Sequence, residues 1–360
     1  MPRLGLLAIP FAFLLLGGGG AAGASPPQVD DQPMWRGWPV WPLHRQHPIR
    51  GGFMDPRGSN QKPIFHNGID ISVRDGRPER GHPYDRTHRV YAVEPGTVST
   101  APNVDDLACH YRSVRVGSFV YGHTDPVGTV QPGQHVDAGE QIGWTCRTLY
   151  HVHLAHATTI GGRQVWDNPL KTGVLRPYVD TAPPAVHAIR FMPVAAPVTW
   201  FSWGGAINSR MDVAPLDRSH LQGTVSVDAS VSDRQSFSGW LAQFPVLVAD
   251  QVPYSVRVSV TREDDGLRVA SGNPFRADSL PTDPGLNGTV FAGGTSENLP
   301  TWYCIDLRMT SGCAGTYWFH LFRGGWDTTT VPNGAYRVCV DAYDVVLNHA
   351  RACVRATVAN

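Results

Sequence analysis

The chain has 360 residues, enough for two ordinary domains, and its 42% hydrophobic content excludes an intrinsically disordered protein. Thirty basic and thirty acidic side chains cancel, which leaves no net field to draw the chain onto nucleic acid or an anionic membrane surface. Glycine (38) and proline (30) are abundant, and the apolar runs are short and rich in Val, Thr, Tyr and Trp. That composition fits strands joined by turns, with little helix.

Arg3, the apolar run Leu4 to Leu16 and the small residues Ala22-Gly23-Ala24 follow the order of a secretory signal. Residues 1–24 are therefore expected to be cleaved and the chain to be secreted or held in the cell envelope. The apolar run has 13 residues, short of the ~20 that a spanning helix needs. No later segment is long and apolar enough to span, so no transmembrane segment is expected after cleavage. Export makes the six cysteines candidates for disulfides, and their spacing suggests Cys109 with Cys146, Cys304 with Cys313 and Cys339 with Cys353.

Residues 25–45 interleave Pro26, Pro27, Pro33, Pro39 and Pro42 with Trp35, Trp38 and Trp41, an arm without regular structure whose rings are expected to pack on the following domain. From 46 to 175, β-like runs cover Arg89–Val93, Gly96–Thr100, Ser113–Tyr121, Gln141–Thr145 and Tyr150–Thr158, separated by turns such as Glu94-Pro95-Gly96. This is expected to be an antiparallel sheet domain. A proline-rich linker, Arg176 to Val186, precedes a region from 187 to 360. Its strand-like runs, Gly223–Val231, Tyr254–Thr261, Thr316–Phe322 and Gly334–Tyr343, suggest a β-sandwich with insertions. The fold class read from the chain is thus mainly β.

Three patterns carry candidate chemistry. In His66-Asn67-Gly68-Ile69-Asp70, even spacing along an extended segment puts an imidazole and a carboxylate on one face. In His151-Val152-His153, a strand directs both rings to one side and Val152 to the other. His123 ends the β-rich run Val120-Tyr121-Gly122. Together they supply two nitrogens and one oxygen for a tetrahedral ion with a fourth position open to water, and two further imidazoles for proton transfer.

The order of these patterns, with Val90-Tyr91-Ala92-Val93-Glu94-Pro95-Gly96-Thr97-Val98 after the first, Tyr121-Gly122-His123, then Gln131-Pro132-Gly133 through Gly139-Glu140-Gln141-Ile142-Gly143 and the closing His151-x-His153, resembles the lysostaphin/LytM-type zinc metalloendopeptidases. The resemblance covers about 46 to 160. It implies an antiparallel sheet with an open groove, Zn2+ held by His66, Asp70 and His153, His123 and His151 as catalytic imidazoles, and peptides of bacterial peptidoglycan as substrate. An alternative is an inactive envelope-binding module of the same fold, which loss of a zinc ligand would favour.

Two segments depart from the family. Trp144-Thr145-Cys146-Arg147-Thr148-Leu149-Tyr150 stands where a glycine- and serine-rich turn is usual, and Leu154-Ala155-His156 follows the closing pair in place of Phe-Glu. His156, at odd spacing from His153, is expected to face the other way. The polar insertion Asp75 to His88 reads as a solvated loop or a lid over the groove.

In the C-terminal region, Gly334 to Asp344 with Asn348 loosely resembles the last hairpin of bacterial immunoglobulin-like extracellular modules, which names no partner for it. Asp341 and Asp344 have calcium-type chemistry, but two carboxylates alone do not make a site and are read as solvated turn residues. Trp200, Trp203 and Trp240 are read as packing rather than glycan-binding rings.

Overall fold

Strand alternation decides the architecture. In Ile69–Ser72, Ile69 and Ile71 point into the core while Asp70 and Ser72 point to the opposite face, and in the strand from His151 the histidines alternate with Val152 and Leu154. Burying Ile69, Ile71, Val152 and Leu154 stabilises the pairing by about 1.5–3 kcal/mol each. A slip of one residue would turn all four out and the histidines in, so the register is fixed by the core.

The computed structural model describes residues 37–59, 62–73, 86–100, 109–146, 151–194, 196–203, 206–236, 250–281, 287–298 and 315–360. It is mainly β, and no helix among these residues is as long as seven residues. Among the described residues the first half holds thirteen strands: β1 (Ile49–Gly51), β2 (Pro56–Ser59), β3 (Lys62–Phe65), β4 (Ile69–Ser72), β5 (Arg86–Tyr91), β6 (Gly96–Thr100), β7 (Ser113–Val116), β8 (Phe119–Gly122), β9 (Thr124–Asp125), β10 (His135–Val136), β11 (Gln141–Cys146), β12 (His151–Ile160) and β13 (Arg163–Asp167). An eight-stranded antiparallel sheet runs β1-β4-β12-β8-β7-β6-β10, with β13 also paired to β12. A three-stranded sheet, β5-β11-β9, adds Val90 and Ile142 to the same buried cluster as Ile69, Val114 and Val152.

The run expected as one strand over Ser113–Tyr121 is a hairpin, β7 and β8. Gly117, at φ +55°, lets the backbone reverse there, and the Glu94 carboxylate closes the turn by accepting from the Ser118 N–H and hydroxyl. Of the tryptophans in the arm, Trp35 lies outside the described residues and the other two differ. Trp38 is buried, stacks on Tyr178 and donates from Nε1 to the Pro177 carbonyl at 2.9 Å, whereas Trp41 is exposed.

The described residues of the second half form ten strands: β14 (Ala185–Pro193), β15 (Val198–Trp203), β16 (Ala206–Met211), β17 (Thr224–Ser232), β18 (Ser255–Arg262), β19 (Arg268–Arg276), β20 (Trp318–His320), β21 (Trp326–Asp327), β22 (Gly334–Tyr343) and β23 (His349–Val358). Two four-stranded antiparallel sheets, β14-β17-β20 with β21, and β19-β18-β22-β23, contribute Val227, Ala229, Val258 and Val340 to one core. β14 starts at Ala185, so the strand takes in the last two residues expected in the linker. Trp200 packs against the core, while Trp240 and the Trp203 side chain lie outside the described residues.

The halves are joined at an edge. β1 ends the large sheet, and its outer backbone groups are met by side-chain amides from the second half. Gln235 Oε1 accepts from the Ile49 N–H at 3.0 Å, Gln251 Nε2 donates to the Ile49 carbonyl at 2.9 Å, and Asn298 Nδ2 donates to the Arg50 carbonyl at 2.6 Å. A buried sheet edge needs such partners.

Cys109 is bonded to Cys146 and Cys339 to Cys353, as their spacing suggested, while Cys304 and Cys313 lie outside the described residues. The Cys109–Cys146 bond spans 37 positions and ties a short 3-10 turn to the end of β11. Replacing both cysteines with serine is expected to lower the unfolding free energy by about 3–4 kcal/mol, the loop-closure value for that span. Urea unfolding of the oxidised protein and the double variant measures it; coincident curves would contradict it.

Candidate metal centre

His66 leaves β3 in a short bend, and the chain re-enters the sheet as β4, with Asp70 directly opposite His153 on β12. The bend depends on Gly68: a Cβ there would lie 2.5 Å from the Leu154 carbonyl and 2.9 Å from the His153 ring. Any larger residue would push β4 away from β12, and with it the Asp70 side chain from the histidine.

Three ligand atoms converge. His66 Nε2 is 2.9 Å from His153 Nδ1 and 3.2 Å from Asp70 Oδ1, and His153 Nδ1 is 3.1 Å from the same oxygen. A tetrahedral site with zinc bonds of ~2.0–2.1 Å has edges of about 3.3 Å, so the donor set and its spacing fit a metal ion. His66, Asp70 and His153 thus form a group able to hold one. His66 Nδ1 lies 2.8 Å from the Gly52 carbonyl, which can only accept, so this nitrogen carries the hydrogen and Nε2 offers its lone pair.

The two remaining histidines stand beside this group. His151 is buried, and its Nε2 is 3.5 Å from Asp70 Oδ1. His123 is half-buried, with its ring edge-on to His151 at 4.6 Å and 6.1 Å from the His153 ring. Its backbone adopts φ +59°, a conformation that histidine tolerates better than most residues and that ends β8 sharply at the site. All five residues singled out in the sequence are therefore brought together. His156 is directed elsewhere, packing on Phe119 at 4.8 Å.

Protonation suits cation binding. Burial lowers His66 to about 4, against the pull of Asp70, so its ring is neutral near pH 7. Burial alone would raise Asp70, but the neighbouring imidazoles of His66, His151 and His153 outweigh it and hold the carboxylate well below its ordinary range.

No protein-family model, no curated protein and no solved structure matches this chain.

Around the site lies a charged group that no sequence pattern announced. Arg57 Nη2 is 3.3 Å from Asp70 Oδ2, its Nη1 is 3.8 Å from Asp55, and its Nε is 3.2 Å from Glu297 of the second half. Burial disfavours the Arg57 charge, but Glu297, Asp55 and Asp70 outweigh it and raise the pKa. Arg50 is lowered to about 10 by burial despite Asp70. With every group ionised, three carboxylates (Asp55, Asp70, Glu297) face two guanidinium groups (Arg50, Arg57), one negative charge in excess. The contacts of Arg57 with Asp70 and Glu297 run between positions too far apart in the chain for any local pattern to signal them.

Asp55 gives this group a pH dependence. It is fully buried and accepts from the Gly52 N–H at 2.6 Å and the Val252 N–H at 2.8 Å, yet burial raises its pKa to about 7. A carboxyl that holds its proton more tightly when folded contributes stability that is present below the unfolded value near 4 and lost as pH rises through about 7. The stability of wild type relative to Asp55→Asn is therefore expected to fall by ~1 kcal/mol or more between pH 4.5 and pH 8. Urea unfolding of both proteins at the two pH values reads this; a difference independent of pH would refute the shift.

Proposed function

We propose that the chain is a secreted zinc metalloendopeptidase of the lysostaphin/LytM type that hydrolyses peptide bonds of bacterial peptidoglycan. The observation that carries this reading is the meeting of His66 Nε2, Asp70 Oδ1 and His153 Nδ1 within 4.8 Å of one another, with the His123–His151 ring pair beside them. These five residues stand in the sequence in the order that the resemblance requires. The N-terminal signal pattern and two disulfides support export, since disulfides persist in oxidising compartments. Among the described residues no helix is long and apolar enough to cross a membrane. By the looser resemblance, the second half is read as an immunoglobulin-like module.

A zinc ion held by these ligands supplies Lewis acidity, which polarises a peptide carbonyl and makes water a nucleophile near neutral pH. The chain's own residues do the rest. Asp70 would contribute the negative charge of the ligand set, and the Gly52 carbonyl keeps the His66 lone pair on the side of Asp70 and His153. We assign stabilisation of the charge developing on the carbonyl oxygen to His151, which faces the ligand group. Proton transfer to the leaving amine is assigned to His123, which stands nearer solvent.

The test combines metal content with turnover. The purified chain is expected to bind one zinc per molecule and to release peptides with new free amino groups from purified peptidoglycan. His123→Ala should keep its zinc and lose about 100-fold or more in rate, the usual worth of a positioned proton-transfer group. Zinc-loaded protein that releases nothing from several wall chemistries would overturn the enzyme reading.

Separately, Asp70→Ala should lose stoichiometric zinc, because it removes one of three protein ligands. Metal analysis after dialysis checks this, and retained stoichiometric zinc would reject Asp70 as a ligand.

A further inference from the structure

A second ligand-type cluster lies away from the histidines. Asp180 in the segment before β14, Asp233 just after β17 and Asp344 between β22 and β23 each place a carboxylate oxygen within 4.8 Å of the other two. Asp344, read from the sequence as a solvated turn residue, is fully buried, and Asp180 is 7% exposed. Its expected partner Asp341 lies elsewhere, paired with His349 at 2.8 Å and Arg351 at 3.5 Å.

Ordinary turn chemistry accounts for only part of the cluster. Asp180 Oδ1 accepts from the Ser236 and Ala182 N–H groups, and Asp344 Oδ1 accepts from the Val346 and Asn348 N–H groups. Asn348 Nδ2 donates to Asp344 Oδ2 at 2.6 Å and to the Asp180 carbonyl at 2.9 Å. Two buried oxygens, Asp180 Oδ2 and Asp233 Oδ1, have no partner within hydrogen-bonding geometry. The neutral donor beside the cluster is the Tyr178 hydroxyl, which interacts with Asp180 and is held well above the ordinary phenol range by burial and the three acids. Among the described residues no Lys, Arg or His forms an ion pair with any of the three acids, and the neighbouring Arg234 is engaged by Asp250 at 2.7 Å. Burial and the neighbouring acids push Asp233 well above the ordinary carboxylate range, and burial raises Asp344 as well.

Buried acceptors left without donors are destabilising, and three carboxylates sharing one pocket repel one another. A cation removes both penalties together. The donor set is oxygen only, with no imidazole or thiolate, which selects a hard divalent ion over zinc.

We propose that Asp180, Asp233 and Asp344 bind a Ca2+-class divalent cation that fastens the segment between the halves to both sheets of the second half. The three ligands come from that segment, from the end of a strand in one sheet and from a turn of the other, so one ion staples three parts of the chain.

Calorimetric titration of Ca2+ into the metal-free protein tests the site. One ion per chain is expected, bound equally well by Asp70→Ala and about tenfold or more weakly by Asp233→Asn and by Asp180→Asn, each of which removes a ligand charge. Thermal melts add a crossing signature: without Ca2+, Asp233→Asn should melt above wild type because it relieves repulsion, and in saturating Ca2+ below it. No binding of Ca2+ by wild type at ~10 mM, well above the dissociation constants of extracellular sites, would overturn the proposal. So would affinity that neither Asp variant changes, or a Ca2+-induced rise in melting temperature that Asp233→Asn retains in full.

Discussion

The first half is organised around one atom, Asp70 Oδ1, on which nitrogens of His66, His153 and His151 converge at 3.1 to 3.5 Å. A carboxylate this buried is costly unless its charge is met, and here neither oxygen is left alone: the first faces imidazoles and the second faces Arg57. At an effective dielectric of about 20, opposite charges at ~4 Å attract by about 4 kcal/mol. Losing the guanidinium would therefore weigh as much as losing several surface ion pairs. Gly68, the β4–β12 register and the Gly52 carbonyl all serve to deliver donors to this point.

The same constraint reaches into the second half. Arg57 is shared with Glu297, and Asp55 is held by the Val252 N–H, so the electrostatic setting of the Asp70 carboxylate includes groups some 200 positions away. A variant in the second half, at Glu297 or near Val252, can thus alter the His66–Asp70–His153 group without touching any of its members. The apolar residues of both halves also belong to a single buried cluster.

What the sequence made legible was local. Period-two patterns placed β6, β11 and β12 within two residues, and the His-x-His spacing gave the common face of His151 and His153 because a strand leaves no other choice. The hairpin at Gly117 was hidden by a continuous run of strand formers on both sides of one glycine. β1, β4 and the β2–β3 hairpin are too short to show a period. The partners of Asp70 beyond the histidines, and the meeting of Asp180, Asp233 and Asp344, depend on long-range chain return, which no window of residues encodes. Asp344 shows the cost: beside Asp341 it looks like a turn residue, and only the folded chain separates the two.

The three amides that meet β1 have a further consequence. An open strand at the margin of a sheet is where an extended peptide from another molecule can hydrogen-bond in parallel with it. Gln235, Gln251 and Asn298 occupy those bonding positions on the strand that flanks Asp70. An incoming polypeptide therefore cannot dock at this margin by lengthening the sheet. It must approach across the face, from the side where His123 and His153 reach toward solvent.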